Sequence, residues 1–296
     1  MLAVLYASLA ALSYGASDYS GAVAAKNTDS TLVTVAAQAA SLATLALILV
    51  LFPEDQRALV DLAWGALGGL AAAVGLVAFY RALAIGPMST AASTTSLLSA
   101  VVPVVVGLAL GERPGTITMV GVAVAIPAGV LVSVGGTVFR RERIALSPRE
   151  HVTSRRGEGE TRALSIVAGL CFGLFFIALS RVSPDAGLFP LVGARGASIT
   201  ALALFITLRK GWAPIAGDSR RSIVVAGVLD CAANSCYLLA LGEGSFVWVA
   251  AITSMSPVST VLLARIRLHE LMTRTQILGI AGAILAVVLV SVGAEL

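Results

Sequence analysis

The chain repeats one sequence pattern, and the second copy follows the first at an interval of 158 residues. Residues 79–135 align with residues 237–293 without a gap, and Glu112 falls on Glu270. Both copies end on the same six residues, Val-Leu-Val-Ser-Val-Gly. A long, fixed interval of this kind indicates that one structural unit has been duplicated, so both halves of the chain should take one fold.

The composition assigns most of the chain to a lipid bilayer. It is 58% hydrophobic and 12% charged, whereas a soluble domain carries about 25% charged residues. A spanning helix needs about 20 apolar residues, and ten stretches qualify. We therefore predict an all-α, polytopic membrane protein of ten transmembrane helices. They are placed near residues 2–25, 31–52, 62–85, 88–110, 115–135, 163–182, 187–208, 222–242, 245–266 and 274–293.

Each copy holds five of these spans. The first repeat takes residues 1–135, the second takes residues 162–296, and residues 136–161 join them. Because five is an odd number, the second copy must enter the membrane upside down. The sequence therefore predicts two inverted five-helix repeats, which in many secondary transporters enclose a site at the membrane midplane.

The connection between the repeats is polar and rich in arginine, and we predict a flexible linker. With ten spans, both termini lie on one side of the membrane. The even-numbered connections contain few basic residues, Arg57, Arg113 and Arg181, whereas the odd-numbered ones contain many. Short basic loops stay in the cytoplasm. The linker is therefore predicted to be cytoplasmic, with both termini outside the cell.

The sequence contains no pattern that predicts an enzyme or a cofactor site. Cys171, Cys231 and Cys236 lie inside predicted spans and lack the spacing of metal ligands. His151 and His269 are far apart in the sequence. The chain has no glycine-rich phosphate loop, nucleophile elbow or HExxH motif. We expect no catalysis, no metal, no cofactor and no nucleic acid as a partner.

Several short motifs carry a resemblance that covers nearly the whole chain. The first copy has Ala-Leu-Ser-Tyr-Gly at 11–15, Phe-Tyr-Arg-Ala-Leu at 79–83 and Leu-Gly-Glu-Arg at 110–113. The second copy has Cys-Tyr-Leu-Leu-Ala-Leu at 236–241 but departs from the last motif with Leu-His-Glu-Leu at 268–271. The chain resembles the drug/metabolite transporter superfamily, in the ten-helix form with two EamA-type domains.

The resemblance implies a secondary carrier of small metabolites in a bacterial cytoplasmic membrane. It also implies a central cavity lined by the first, third, fourth, sixth, eighth and ninth helices, with the fifth and tenth helices at the periphery. The family's motifs identify the fold and leave the substrate open.

Ionisable side chains inside the bilayer are costly, so each is a candidate for function. Asp230 lies well inside the eighth span, and Asn234 and Tyr237 follow it at i+4 and i+7 on the same helical face. Asp230 is expected to bind a substrate amine, carry a coupling proton or pair with a buried arginine. Asp18, with Tyr14 one turn before it, either lines the cavity or is charged at the helix end.

Arg195 lies inside the seventh span and needs a carboxylate, carbonyls or water because it cannot be deprotonated. The corresponding region of the first copy holds Gln38, one position off the repeat interval. We favour a structural role for Arg195 over contact with substrate. Trp248 either stacks on a ligand or belongs to an interfacial aromatic belt, and Arg81 is placed at the membrane boundary.

Hydroxyl side chains are frequent in the fourth and ninth spans, where most should serve helix packing. Two rows at helical spacing are candidates for the cavity wall, and Pro103 and Pro257 are expected to bend these helices and free carbonyls near the site. Glu112 is expected to cap and pair at the membrane boundary. The rows are Ser93, Ser96 and Ser99, and Thr253, Ser256 and Thr260.

The function predicted is transport of a small metabolite, an amino acid or an amine, by alternating access. We favour export, and the acidic residues make proton coupling a reasonable expectation. The main rival is efflux of drugs or quaternary amines, which would favour an aromatic, acidic cavity, although aromatic residues make up 6% of the chain. A lipid-handling membrane protein and a passive channel are weaker alternatives.

Overall fold

The computed structural model describes residues 1–53, 58–86, 88–144, 151–268 and 273–294, and these residues contain helices and no strand. Eleven α-helices follow one another, and a short π-helical segment, Ile206–Lys210, extends α7. The helices are α1 Leu2–Ala25, α2 Ser30–Leu51, α3 Leu59–Ile85, α4 Met88–Ala109, α5 Thr116–Ile144, α6 His151–Leu179, α7 Phe189–Phe205, α8 Gly217–Glu243, α9 Phe246–Thr253, α10 Pro257–Leu268 and α11 Arg274–Gly293.

Local sequence explains where several helices begin and end. Asp29 precedes α2 and accepts a hydrogen bond from the Thr31 amide at 2.9 Å, which satisfies one free donor of the first turn. Thr273 and Gln276 form a capping box at the start of α11. Gly211 ends the π-helical segment with φ of +70°, a conformation that favours glycine.

Seven helices of the described chain are long and apolar enough to cross a membrane, and they lie in α2, α3, α4, α6, α7 with its π-helical end, α8 and α11. Two shorter apolar helical segments, Thr116–Val132 and Phe246–Thr260, correspond to the fifth and ninth predicted spans. The first predicted span forms α1 but is not among the seven, because polar residues such as Tyr14, Ser17 and Asp18 interrupt it.

The outside of the bundle is apolar. Leu47, Val74 and Leu278 are among many large hydrophobic side chains that are more than half exposed. Monomeric soluble proteins rarely expose apolar surface on this scale. The lipid bilayer is therefore the medium that covers this surface, as the composition predicts, and the chain is a multi-pass membrane protein.

The two prolines expected to bend helices have different outcomes. The ninth span is interrupted before Pro257, because α9 ends at Thr253 and α10 starts at Pro257, whereas Pro103 lies inside α4, which continues through it. Helix α5 continues to Ile144 and α6 begins at His151, but residues 145–150 lie outside the described residues, so the flexibility expected of the connection stays a prediction.

Helices α5 and α11 pack against each other in opposite directions. Gly121 on α5 lies against Ala286 and Val290 of α11, and Gly279 on α11 lies against Ala128 and Val132 of α5. The residue number therefore rises along one helix as it falls along the other. These positions are also repeat equivalents, since Gly121 and Gly279, or Val132 and Val290, differ by 158.

Two further sets of helix contacts are reciprocal in the same way. Helix α1 packs on α8 and α3 packs on α6, and likewise α2 packs on α8 and α3 on α7. Backbones touch closely at these contacts. A Cβ added to Gly69 would overlap the carbonyl of Ala194, and one added to its equivalent, Gly227, would overlap the carbonyl of Ala37.

One end of the bundle, which we call the linker end, gathers the ends of α1 and α3 and the starts of α6 and α8. Thr28 after α1 donates to the hydroxyl of Ser219 at the start of α8, at 3.0 Å. Arg81 near the end of α3 pairs with Glu160 at 2.7 Å, and both side chains are about half exposed. Arg81 thus lies at the boundary where the sequence places it.

The opposite end, which we call the far end, is tied by two carboxylates of the first half. Asp61 at the start of α3 accepts hydrogen bonds from the amide and hydroxyl of Ser183, at 2.8 and 3.0 Å. Glu112 between α4 and α5 accepts from the amide of Val247 at 3.1 Å and from the hydroxyl of Ser245. Glu112 therefore caps the N-terminus of α9, so its role as a capping residue is confirmed.

The close contact between Gly69 and the backbone of Ala194 can be tested by measuring the stability of a variant. We expect Gly69→Ala to lower the free energy of unfolding by about 1–3 kcal/mol, the usual range for overpacking, because its methyl group would meet backbone that cannot move aside. A lower melting temperature of the purified protein in detergent measures the effect.

The matched control is Gly196→Ala in α7, where an added Cβ meets nothing within 4 Å. Alanine favours a helix by about 1 kcal/mol over glycine, so this variant should melt at the same temperature or higher. Equal melting of both variants would contradict the close packing of α3 on α7.

Candidate functional site

A cavity lies between the two halves and reaches from the middle of the bundle toward the linker end. It offers about 80 Å³ to the centres of water molecules, which is room for about six waters. Its wall comes from α1, α3, α4, α6, α8 and the broken ninth span, with Arg195 added from α7, and none of the described residues of α5 and α11 lies in it. This is the set of spans that the resemblance implies, plus the seventh.

The deepest part of the wall is a buried ion pair. Nη2 of Arg195 lies 2.7 Å from Oδ2 of Asp230, with the two side chains 2% and 14% exposed. Nη1 of Arg195 donates to Gln38 at 2.8 Å, and Nε donates to Ser41 at 3.0 Å. We call Gln38, Ser41, Arg195 and Asp230 the arginine cluster. It joins α2 of the first half to α7 and α8 of the second.

Asn234 extends this network to the first helix. Its amide donates to the backbone carbonyl and to Oδ1 of Asp230, at 2.7 and 3.1 Å. Its own oxygen accepts a hydrogen bond of 2.7 Å from the hydroxyl of Tyr14. The predicted polar face of α8 therefore points inward as far as Asn234, and it holds Asp230 in place through one turn of helix.

Asp18 also lines the cavity, but it is not part of that network. Among the described residues, no hydrogen bond or salt bridge joins its carboxylate to another group. Asp230 stands in the same cavity and contributes a second negative charge, which Arg195 balances. The cavity thus contains one paired and one unpaired carboxylate.

Hydroxyl groups form the side of the cavity next to the ninth span. Ser96 donates to the carbonyl of Ser254 at 2.6 Å, and these two residues are repeat equivalents, so α4 meets its counterpart here. Thr253 and Ser256 also line the cavity, whereas Ser93 is buried outside it. Ser93 is therefore a correction to the predicted row, and Ser96 and Ser99 are the members of that row that line the cavity.

Aromatic rings enclose the rest of the cavity, a feature that the sequence analysis missed. The rings of Tyr14 and Phe176 lie 6.0 Å apart, and those of Phe79 and Phe172 lie 5.8 Å apart, both edge to face. Tyr19 and Phe175 complete the wall. Six aromatic residues of a chain in which they are only 6% are therefore gathered at one site.

Tyr237 was expected on the same inward face as Asp230, and it lies on that face but outside the cavity. Its ring is fully buried and packs on Phe176 with the centroids 4.7 Å apart, and its hydroxyl lies 3.4 Å from the carbonyl of Phe176. Seven residues of helix carry it about 10 Å along the axis from Asp230. At that level the helices are packed together, and Tyr237 belongs to the hydrophobic core.

Trp248 takes neither of its two predicted roles. The side chain is 5% exposed, and its ring lies against Gly244 and Ala3. It therefore contacts neither the cavity nor the surface of the bundle. The reason is its position near the start of α9, at the far end, where Glu112 holds this helix against the first half.

The missed residues differ in how well the sequence could have signalled them. Gln38 was visible as the repeat partner of the Arg195 region, and Ser41 follows it after one turn. The aromatic wall gave no such signal, because phenylalanine is an ordinary lipid-facing residue. In the described chain, no group of three His, Cys, Asp or Glu side chains could hold a metal ion.

The arginine cluster makes a sharp prediction about stability. Replacing Arg195 with leucine should cost about 3–5 kcal/mol, since it leaves the Asp230 carboxylate buried without its partner. Adding Asp230→Leu should recover most of that loss. A double-mutant cycle on unfolding in detergent measures the coupling. Purely additive effects would contradict the ion pair.

Comparisons with known proteins agree with this architecture. A search of curated proteins finds no match, but 28 chains of solved structures match the fold. One, described only as a crystal structure of a protein, shares 15% sequence identity with a TM-score of 0.68, and the match covers 97% of each chain. At this identity the likeness shows the fold alone.

The model of the EamA-like transporter family matches residues 1–134 and 162–292. Since these regions take in nearly the whole of both halves, the chain belongs to the EamA-like transporter family, membrane transporters of the drug/metabolite type.

Proposed function

We propose that the chain is a secondary carrier in which two inverted repeats, residues 1–135 and 162–296, rock about the central cavity. The antiparallel packing of α5 on α11 supports this proposal. Two equivalent helices that run in opposite directions across a membrane must belong to halves of opposite orientation. A two-fold axis in the membrane plane would relate such halves, which is the arrangement that alternating access uses.

The two ends of the bundle support the carrier mechanism in a second way. At the far end, Asp61 and Glu112 of the first half bind Ser183 and the start of α9 in the second half. The cavity reaches instead toward the linker end, where Thr28 and Arg81 of the first half meet Ser219 and Glu160 of the second. Breaking the far-end hydrogen bonds while the linker end closes would expose the same cavity to the opposite side.

The orientation follows from the basic connections at the linker end. These connections favour a cytoplasmic location for that end, and the cavity would then load from the cell interior in this state. We therefore propose export as the direction of net transport. The proposal agrees with the bias of the charged loops and rests on no contact with a substrate.

The cavity wall favours a small organic cation as the substrate. Asp18 supplies an unpaired negative charge, and aromatic faces such as those of Tyr14, Phe79 and Phe176 attract cations. A volume that accepts about six waters suits an amine of similar size. This wall also favours the quaternary amines of the rival prediction, so the class proposed is small ammonium compounds.

Proton coupling would act through Asp18. One carboxylate can hold either a proton or a cation, so a proton entering from outside would displace the substrate, and the two would be exchanged. The ionisable groups around Asp18 are Asp230 and Arg195, which neutralise each other, and the phenols of Tyr14 and Tyr80. Asp18 is then the side chain that remains to bind either cation.

Inversion of the repeats can be tested with one pair of equivalent positions. Ala58 precedes α3 and Ala216 precedes α8, and they differ by the repeat interval. In a background in which Cys171, Cys231 and Cys236 are replaced by alanine, Ala58→Cys and Ala216→Cys should react with a membrane-impermeant maleimide from opposite sides. Labelling from the same side would contradict the inverted arrangement.

Transport is tested in proteoliposomes with an acidic lumen. Radiolabelled ethanolamine, choline and putrescine are the probes, and liposomes without protein give the passive rate. At least one cation should accumulate in a saturable, gradient-dependent manner. Asp18→Asn should reduce this uptake by more than about tenfold, because removing a buried charge partner costs at least 2 kcal/mol.

The matched control is Asp185→Asn, which removes the same charge from an exposed connection between α6 and α7. This variant should transport normally. If none of the three cations accumulates, the proposed substrate class is wrong. If Asp18→Asn keeps its gradient-driven uptake, the role of Asp18 is wrong.

A further inference from the structure

The break in the ninth span leaves polar groups without partners beside the cavity. Helix α9 has only eight residues, and a three-residue turn separates its end at Thr253 from Pro257. Proline has no N–H, so the carbonyl of Thr253 loses the donor that a continuous helix would supply at i+4. The backbone hydrogen bonds of the described turn end on Ala250, Ile252, Met255 and Ser256.

The side chain of Thr253 is also unsatisfied. Its residue is 1% exposed, and its Oγ1 has no hydrogen-bond partner among the described residues. The neighbouring hydroxyls do not share this property. Ser254 donates to the carbonyl of Ala251 at 2.8 Å, and Ser259 donates to that of Ser256 at 2.9 Å. Leaving a buried polar group unpaired costs about 1–3 kcal/mol.

The repeat supplies a comparison for Thr253 within the molecule. Its equivalent in the first half is Thr95, which also lines the cavity but donates to the carbonyl of Ser165 at 3.2 Å. The same residue type at the same place in the repeat is therefore satisfied in one half and unsatisfied in the other. The unpaired hydroxyl is a property of the broken helix and not of the threonine position.

We propose that Thr253 determines specificity by accepting hydrogen bonds from the N–H groups of a substrate ammonium. This inference rests on the proposed function and deepens it. The hydroxyl and carbonyl of Thr253 are two acceptors at the C-terminal end of a helix, where the helix dipole favours a cation. Asp18 and the aromatic wall attract any ammonium ion, but only an ammonium with N–H groups can pair with Thr253. The site then prefers primary amines over quaternary ones.

The test compares two ligands that differ only in their nitrogen substituents. Ethanolamine carries three N–H donors, and choline carries three methyl groups in their place. Equilibrium binding of both is measured on the full-length protein in detergent, for the wild type, Thr253→Val and Thr253→Ser. Binding in detergent also avoids passive leakage of the amine across a membrane.

The wild type is expected to bind ethanolamine more tightly than choline. Thr253→Val, which has nearly the shape of threonine without its hydroxyl, should reduce that preference by about tenfold, the effect of one hydrogen bond to a charged group. Thr253→Ser should keep it. Thr118→Val is the matched control, because this threonine is equally buried but lies on α5 outside the cavity wall, and it should leave the preference unchanged.

Each result has a distinct meaning. Equal binding of both ligands by the wild type, or an unchanged preference in a folded Thr253→Val, overturns the role of Thr253 and leaves the proposed transport of ammonium compounds standing. Failure of both ligands to bind the wild type overturns both proposals. The melting temperature of each variant separates loss of folding from loss of recognition.

Discussion

The rest of the site depends on the cost of holding a guanidinium ion away from water. Arg195 cannot lose its charge, and it lies almost completely buried in the middle of a membrane protein. Its three nitrogens therefore fix the positions of Gln38 and Ser41 on α2 and of Asp230 on α8. Since Asp230 is occupied in this way, the negative charge available to a cation in the cavity is that of Asp18.

The arginine cluster also shows that the two halves share their helix packing but differ in the polar residues that they place at equivalent positions. Gln38 and Arg195 come from equivalent helices, α2 and α7, so glutamine stands in one half where arginine stands in the other. The same asymmetry appears at Thr95 and Thr253, where an unbroken α4 faces a broken ninth span. A ligand without internal symmetry requires such differences, whereas the close glycine contacts of the frame recur in both halves.

Most of the fold could be predicted from sequence, because membrane spans require long apolar runs and the duplication shows which runs correspond. The cavity was predictable where a polar residue lay inside a span, as for Tyr14, Asp18, Asp230 and Asn234. The sequence could not predict whether a residue lines the cavity where this depends on its position along the helix axis. Helical periodicity puts Tyr237 on the correct face of α8 but cannot show that the helices close together two turns beyond Asp230. The low overall aromatic content argued against an aromatic cavity, but an average over the chain cannot show that six rings meet at one place.

The glycine contacts have a consequence for motion. Where α3 meets α7, Gly65 lies against the backbone of Pro190, Gly69 against that of Ala194, and Gly193 against that of Leu62. Interlocked side chains must change rotamer before two helices can shift, whereas helices that touch through their main chains have no interlocked side chains at the contact. The contact between α3 and α7 is therefore made by main chain on both sides, so a small change in the angle between these helices would require no change of side-chain rotamer there.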